Sequence, residues 1–225
     1  MGSTVSSAKK SKVVKENRFF QDFVKITGSI PGLIWMRPKF YYMGDKKKCK
    51  VKGGVLIAAN HVTFFDPIML YCALWWRRLS FLVTKDLYKN KFFAWMITTV
   101  GCIQVDKDNF SIQSMHAVVD RLKAGKAVVI FPEGHVHTQD AQTKSYKSGA
   151  VLMAKLSGVP IQPIYLVPGR KWYQRRVAVM GEPVDISGMC SRFPTVEELE
   201  NVTEFIRSRE LALEEYFETK QKRGK

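Results

Sequence analysis

Nowhere in this chain of 225 residues do apolar side chains run for the roughly 18 to 20 positions that a bilayer-spanning helix needs. The longest apolar stretches, residues 67–76 and 92–105, are too short or interrupted, so a polytopic membrane protein is excluded and any contact with lipid is interfacial. Cysteine is also sparse. Cys49, Cys72, Cys102 and Cys190 form no C-x-x-C pair and no Cys/His cluster of zinc-ligand spacing, which argues against a disulfide framework and for reduced thiols in a cytosolic setting. The N-terminus carries Lys9, Lys10, Lys12 and Lys15 but lacks the apolar region and cleavage site of a secretory signal, so the mature chain is expected to start near Met1. Acidic residues are the third shortage. Only 20 Asp and Glu face 36 Lys and Arg, and the net charge of +16 calls for an anionic partner such as nucleic acid, a phospholipid surface or an acidic carrier.

What is present reads as one folded domain. With 46% hydrophobic and 25% charged residues the composition matches ordinary globular proteins, and the length suits a single core. The basic excess is uneven: residues 1–52 hold 13 Lys or Arg against Glu16, Asp22 and Asp45, so this stretch carries +10. Residues 1–12, rich in Ser and Lys, have little to bury and are expected to be a flexible basic tail. Residues 13–38 follow, with Phe19, Phe20, Phe23, Val24 and Ile26 on one helical stripe, a turn expected at Gly28 to Gly32, and a second apolar cluster from Leu33 to Met36. This predicts an N-terminal amphipathic helical hairpin that either packs on the core or docks on a membrane, while Trp75, Trp76, Arg77 and Arg78 either meet the membrane similarly or just end the helix that starts at Pro67.

From residue 39 to 225 short β-rich runs alternate with helical ones. Strands are expected at 55–59, 81–83, 102–105, 127–131, 161–166 and 177–180, with helices starting at Pro67, near Lys91, at Ser111 and at Ser148, and a last helix over 195–220. Such alternation predicts an α/β domain with a mostly parallel central sheet flanked by helices, because parallel neighbours need crossover connections.

The chemistry-bearing residues lie where those strands should end. After strand 55–59 comes Asn60-His61-Val62-Thr63-Phe64-Phe65-Asp66-Pro67. A neutral imidazole at such a boundary can take the proton of a hydroxyl as its oxygen attacks a thioester carbonyl, while a carboxylate orients the ring, with no covalent enzyme intermediate. Asp66 before Pro67 also fits a helix N-cap. Further blocks follow: Gly101-Cys102-Ile103-Gln104-Val105-Asp106-Lys107, Phe131-Pro132-Glu133-Gly134, Tyr146-Lys147-Ser148-Gly149, and Val159-Pro160-Ile161. His135, His137 and Asp140 invite a metal reading with His61 and Asp66, but no tight ligand motif accompanies them and no metal is expected.

In their order and spacing these blocks resemble the glycerolipid acyltransferase family that includes the 1-acylglycerol-3-phosphate acyltransferases, over about residues 53–185. The resemblance implies His61 as general base and Asp66 as its orienting partner, with Glu133 and Gly134 lining the acceptor site. It puts Lys107 where the family usually has a phosphate-binding Arg, and leaves Lys147 as a further cation. Where the family usually reads Glu-Gly-Thr-Arg, this chain has Glu133-Gly134-His135-Val136, so the usual phosphate-holding Arg is missing.

The function so implied is transfer of a fatty acyl group from acyl-CoA or an acyl carrier protein to the free hydroxyl of a lysolipid, foremost 1-acylglycerol-3-phosphate, giving phosphatidate. An O-acyltransferase for a phosphate-free acceptor such as a lyso-aminolipid, and a non-catalytic basic membrane-binding protein, are the alternatives. No bound cofactor is expected. The partners are the lysolipid, the acyl thioester and an anionic membrane surface, with the protein cytoplasmic and peripheral to the inner face of the membrane. Nucleic acid is not expected, since the cations form no recognisable binding motif with stacking aromatics.

Overall fold

Residues 55 to 59 read Val-Leu-Ile-Ala-Ala, and all five side chains are buried, as a strand covered on both faces requires. The structure, a computed structural model, describes residues 18–74, 76–105, 111–133, 146–169 and 175–223. In chain order the elements are α1 (Arg18–Met36), β1 (Lys39–Met43), β2 (Val55–Ala59), α2 (Asp66–Ala73), β3 (Leu79–Thr84), a short 3-10 turn (Lys85–Tyr88), α3 (Lys91–Thr99) and β4 (Ile103–Val105). They continue with α4 (Ile112–Lys123), β5 (Ala127–Ile130), α5 (Gly149–Ser157), β6 (Ile161–Leu166), β7 (Val177–Gly181) and α6 (Val196–Arg223). One sheet runs in the order β1-β7-β6-β2-β5-β3-β4. The five strands from β6 to β4 are parallel, β7 is antiparallel to β6, and β1 is parallel to β7.

The period of two along each strand sorts the core. Val55, Ile57 and Ala59 of β2 with Ala127 and Val129 of β5 face α2, whereas Leu56, Ala58, Val128 and Ile130 face α4, α5 and α6. Local chemistry sets the helix ends. Ser111 accepts from the Ser114 N–H to start α4. Thr195 and Glu198 exchange bonds in a capping box that starts α6.

The expected α/β class and mostly parallel sheet are found, and the helices and strands read from the sequence are present. Two features differ. The sequence reading lacked β1, an edge strand whose Lys-Phe-Tyr-Tyr-Met is only half-buried and shows no alternation. The predicted hairpin is instead one helix, because the Gly28 to Gly32 segment is helical despite Pro31. Interior Gly and Pro each cost a helix about 1 and 3 kcal/mol, so tertiary contacts must hold it. At Gly32 α1 passes close to α2: a Cβ there would lie 2.9 Å from the Cys72 sulfur. The Lys25 ammonium donates to the carbonyls of Leu74 and Arg77 at the end of α2, Gln21 donates to Val100 O at 3.0 Å, and Arg78 forks onto Asp22.

The consequence is a helix with inverted sidedness. Gln21, Lys25 and Ser29 are buried against the domain, while Phe19, Phe23, Ile26, Ile30 and Ile34 are 54% to 82% exposed. Burial draws the Lys25 ammonium down to about 8. Among the described residues no helix is long and apolar enough to cross a membrane. The tail expected at residues 1–12 lies outside the described residues.

On α6, Glu210 is buried, and its Oε2 has no hydrogen-bond partner among the described residues. Burial first, then the charges of Glu133 and Glu214, push its carboxyl up to about 9, so it is protonated in the fold at neutral pH. Its stabilising protonation is complete below the ordinary value of 4.5 and is lost as pH rises through about 9. Glu210→Gln, a neutral near-isostere, should therefore raise Tm relative to wild type more at pH 8 than at pH 5. Thermal unfolding of both proteins across that range checks it, and an equal difference at the two values would mean the group is already ionised in the fold.

Candidate active site

The strand order creates the site. β2 and β5 are neighbours, yet the chain leaves β2 toward α2 on one face and leaves β5 toward α5 on the other, so their C-terminal ends flank a crevice. His61 follows β2, Phe131 follows β5, and their rings stack with centroids 4.2 Å apart across it.

The segment from His61 to Asp66 folds around one carboxylate. Asp66 is the first residue of α2, where Pro67 can follow because its missing N–H has no partner at that position anyway. The residue at the N-cap is Phe65, without a side-chain bond, so the capping reading of Asp66 does not hold. Its Oδ2 instead turns back to accept the Val62 and Thr63 N–H groups, each at 2.7 Å, and Oδ1 accepts the Thr63 hydroxyl at 2.7 Å. The same Oδ2 lies 3.1 Å from His61 Nδ1. An ionised carboxylate is acceptor-only, so Nδ1 carries the hydrogen in this contact, and in the neutral ring the free lone pair is then on Nε2. Both side chains are largely covered, at 15% and 7% exposure.

Asn60 anchors the other side. It is buried, donates to Leu166 O at 2.9 Å and accepts from Leu166 N at 2.6 Å, extending the β2–β6 ladder one step toward the crevice. On the outer side Phe64, Phe65 and Ile68 are exposed, and Phe65 meets Trp35 of α1 edge-on at 5.2 Å. The crevice thus opens beside the apolar stripe of α1.

Of the residues singled out in the sequence, His61 and Asp66 are brought together. Glu133 sits half-buried in the turn after β5, and Lys147 is exposed next to that turn, its backbone N–H bonded to Pro132 O at 3.3 Å. Lys107, Gly134, His135, Val136, His137 and Asp140 lie outside the described residues. Sequence reasoning gave no role to Asn60, Thr63 or Phe131. Asn60 left a signal all the same, since a polar residue directly after five buried apolar ones must find a partner.

A histidine held by a carboxylate where neighbouring parallel strands send the chain to opposite faces is an arrangement suited to moving a proton. Residues 41–167 match the Acyltransferase family model, and the chain belongs to that family. It is 28% identical over 183 residues to a 1-acyl-sn-glycerol-3-phosphate acyltransferase of Streptococcus pneumoniae, covering 78% of this chain and 67% of that one. To the enzyme of the same name from Bacillus subtilis it is 26% identical over 175 residues, 76% of this chain and 86% of the other. The crystal structure of the LPA acyltransferase PlsC from Thermotoga maritima superposes with a TM-score of 0.64 at 19% identity, over 88% of this chain and 80% of that one, and so shares the fold.

Removing the clamp isolates its contribution. Asn60→Ala leaves the Leu166 N–H and C=O buried without their partner, which costs about 1 to 3 kcal/mol. Urea unfolding should show a lower midpoint at unchanged slope. A midpoint equal to wild type would mean that water replaces the amide at no cost.

Proposed function

We propose that the chain is a 1-acylglycerol-3-phosphate O-acyltransferase that takes its acyl group from a thioester of coenzyme A or an acyl carrier protein. The carrying observation is the His61 Nδ1 to Asp66 Oδ2 contact of 3.1 Å at the mouth of the crevice. In this mechanism His61 Nε2 accepts the proton of the lysolipid hydroxyl as that oxygen attacks the thioester carbonyl carbon. The tetrahedral intermediate then expels the thiolate, the C–S bond breaks, and the imidazolium returns its proton to the sulfur. Asp66 holds the ring and stabilises its cationic form between the two steps. The names of the relatives support lysophosphatidate as acceptor and phosphatidate as product.

The outward apolar stripe of α1, beside the Phe64 and Phe65 rim, supports work at a lipid surface, with the protein peripheral to the inner face of the membrane. A helix that buries its polar side and exposes its apolar one is otherwise an unfavourable arrangement. The replacement of the family's Thr-Arg pair by His135-Val136 favours, as a second reading, an acceptor without a phosphomonoester.

Labelled acyl thioester and a panel of lysolipids, with product identification, test both readings. His61→Ala should lose turnover by about a hundred-fold or more and keep the fold, because Asp66 retains its bonds to Val62 and Thr63 when the ring is removed. Wild-type turnover in that variant would remove His61 from the mechanism. Asp66→Asn should lose activity as well and also destabilise, since charge-assisted bonds to Val62 and Thr63 weaken.

Acceptor charge gives a separate check. If the acceptor carries a phosphate, Lys147 supplies part of the missing Arg's charge, and Lys147→Ala should raise the KM for lysophosphatidate several-fold while leaving that for the acyl donor near wild type. Unchanged KM values together with a preference for a phosphate-free lysolipid would favour the second reading.

A further inference from the structure

The most basic turn of the described residues lies at the opposite end of the sheet from His61. β1 runs against β2 and β6, so the connection between β1 and β2 falls at the N-terminal ends of the central strands. This connection reads Asp45-Lys46-Lys47-Lys48-Cys49-Lys50-Val51-Lys52, five lysines in seven positions, and all five are exposed. Its backbone is fixed. Asp45 Oδ1 accepts from Lys47 N at 2.8 Å, Glu182 Oε1 accepts from Asp45 N at 2.7 Å, and Cys49 N bonds Asp45 O at 3.0 Å. Cys49 itself is fully buried, and Gln162 donates to its carbonyl at 2.7 Å. At Gly44 the φ of +101° and the Glu182 carboxylate packed where a Cβ would stand make this approach specific to glycine. A rigid turn that crowds like charges destabilises itself through repulsion, and Asp45 and Glu182, the acids beside it, do not balance five lysines.

The turn is tied to α1. Arg77 donates to the carbonyls of Val51 and Gly53, and Lys50 Nζ lies 4.8 Å from the centre of the Trp76 ring. The same segment receives Lys25 and Asp22 of α1, through the carbonyls of Leu74 and Arg77 and through Arg78. The lysines therefore adjoin the half of α1 that carries exposed Phe19, Phe23 and Ile26.

We propose that the turn at residues 46–52 is a docking platform for anionic phospholipid headgroups, meeting the same bilayer as the apolar stripe of α1. The inference rests on the reading of this chain as an enzyme of the lipid surface, and adds to it a requirement for anionic lipid. Charge complementarity and continuity with the apolar stripe favour a bilayer over nucleic acid, since stable attachment from such elements combines buried apolar area with a basic patch. The rings of Tyr42 and Trp76 at the turn each have a lysine of the turn itself over them, Lys46 and Lys50, and so are engaged within the protein.

Lys47, Lys48 and Lys52 are suited to the test, because their side chains hold no other group among the described residues. Wild type is expected to bind vesicles of mixed phosphatidylcholine and phosphatidylglycerol more tightly than phosphatidylcholine alone, the preference fading at high salt. Each lysine near such a surface contributes about five-fold in affinity. The triple substitution Lys47→Gln, Lys48→Gln, Lys52→Gln should thus weaken binding to the mixed vesicles on the order of a hundred-fold, and the corresponding triple Arg variant should retain it. Both should acylate a detergent-dispersed lysolipid as wild type does.

A Gln variant that keeps wild-type affinity for the mixed vesicles, or an Arg variant that loses it, overturns the platform. The lipid-surface reading is tested apart from it by Ile26→Asn with Ile30→Asn, which should weaken binding to both vesicle types. If this pair changes nothing, the surface reading fails and the platform with it. Tighter binding of a labelled DNA duplex than of the mixed vesicles, lost in the Gln variant, would assign the lysines to nucleic acid and overturn the proposal.

Discussion

The Asp66 carboxylate is the constraint around which the reactive segment is arranged. A carboxylate with 7% exposure must be satisfied by donors, and its neighbours can supply them only if the chain from His61 to Phe65 curls back over the start of α2. That curl gives the imidazole one orientation, with Nδ1 toward the carboxylate and the ring flat against Phe131. Phe64 and Phe65, on the same curl, are left facing outward. Positioning of the histidine thus follows from a single buried charge.

A second constraint is topological. β5 is inserted between β2 and β3, so two neighbouring strands send their chains to opposite faces of the sheet. No side chain needs to hold the crevice open. The Asn60 bonds to Leu166 stiffen one wall, while α5 and α6 pack behind the other.

Much of this was legible in the sequence, for definite reasons. Val55 to Ala59 and Ile161 to Leu166 are buried on both faces and read as continuous apolar runs. His61 and Asp66 stood out because they follow a strand end and belong to a series of blocks whose order and spacing resemble those of the acyltransferase family. Where local chemistry and tertiary contacts disagree the reading failed. Gly28, Pro31 and Gly32 speak for a turn, whereas Lys25, Gln21 and Gly32 of the helix that forms contact residues distant in sequence. The N-cap alternative for Asp66 was local too, and it yields to bonds with Val62 and Thr63 that depend on loop curvature. Phe131 was invisible as a partner of His61, because 70 positions separate them and only strand order brings them face to face.

The position of the crevice next to the exposed side of α1 bears on how such an enzyme would be measured. An acceptor that stays in a bilayer would reach His61 by lateral diffusion in two dimensions, without first leaving for water. The concentration that governs saturation is then a mole fraction in the surface, and diluting the substrate with inert lipid would slow the reaction even at constant bulk amount. For a site framed by Trp35, Phe64 and Phe65, apparent constants expressed in molar units would describe the vesicle preparation as much as the protein.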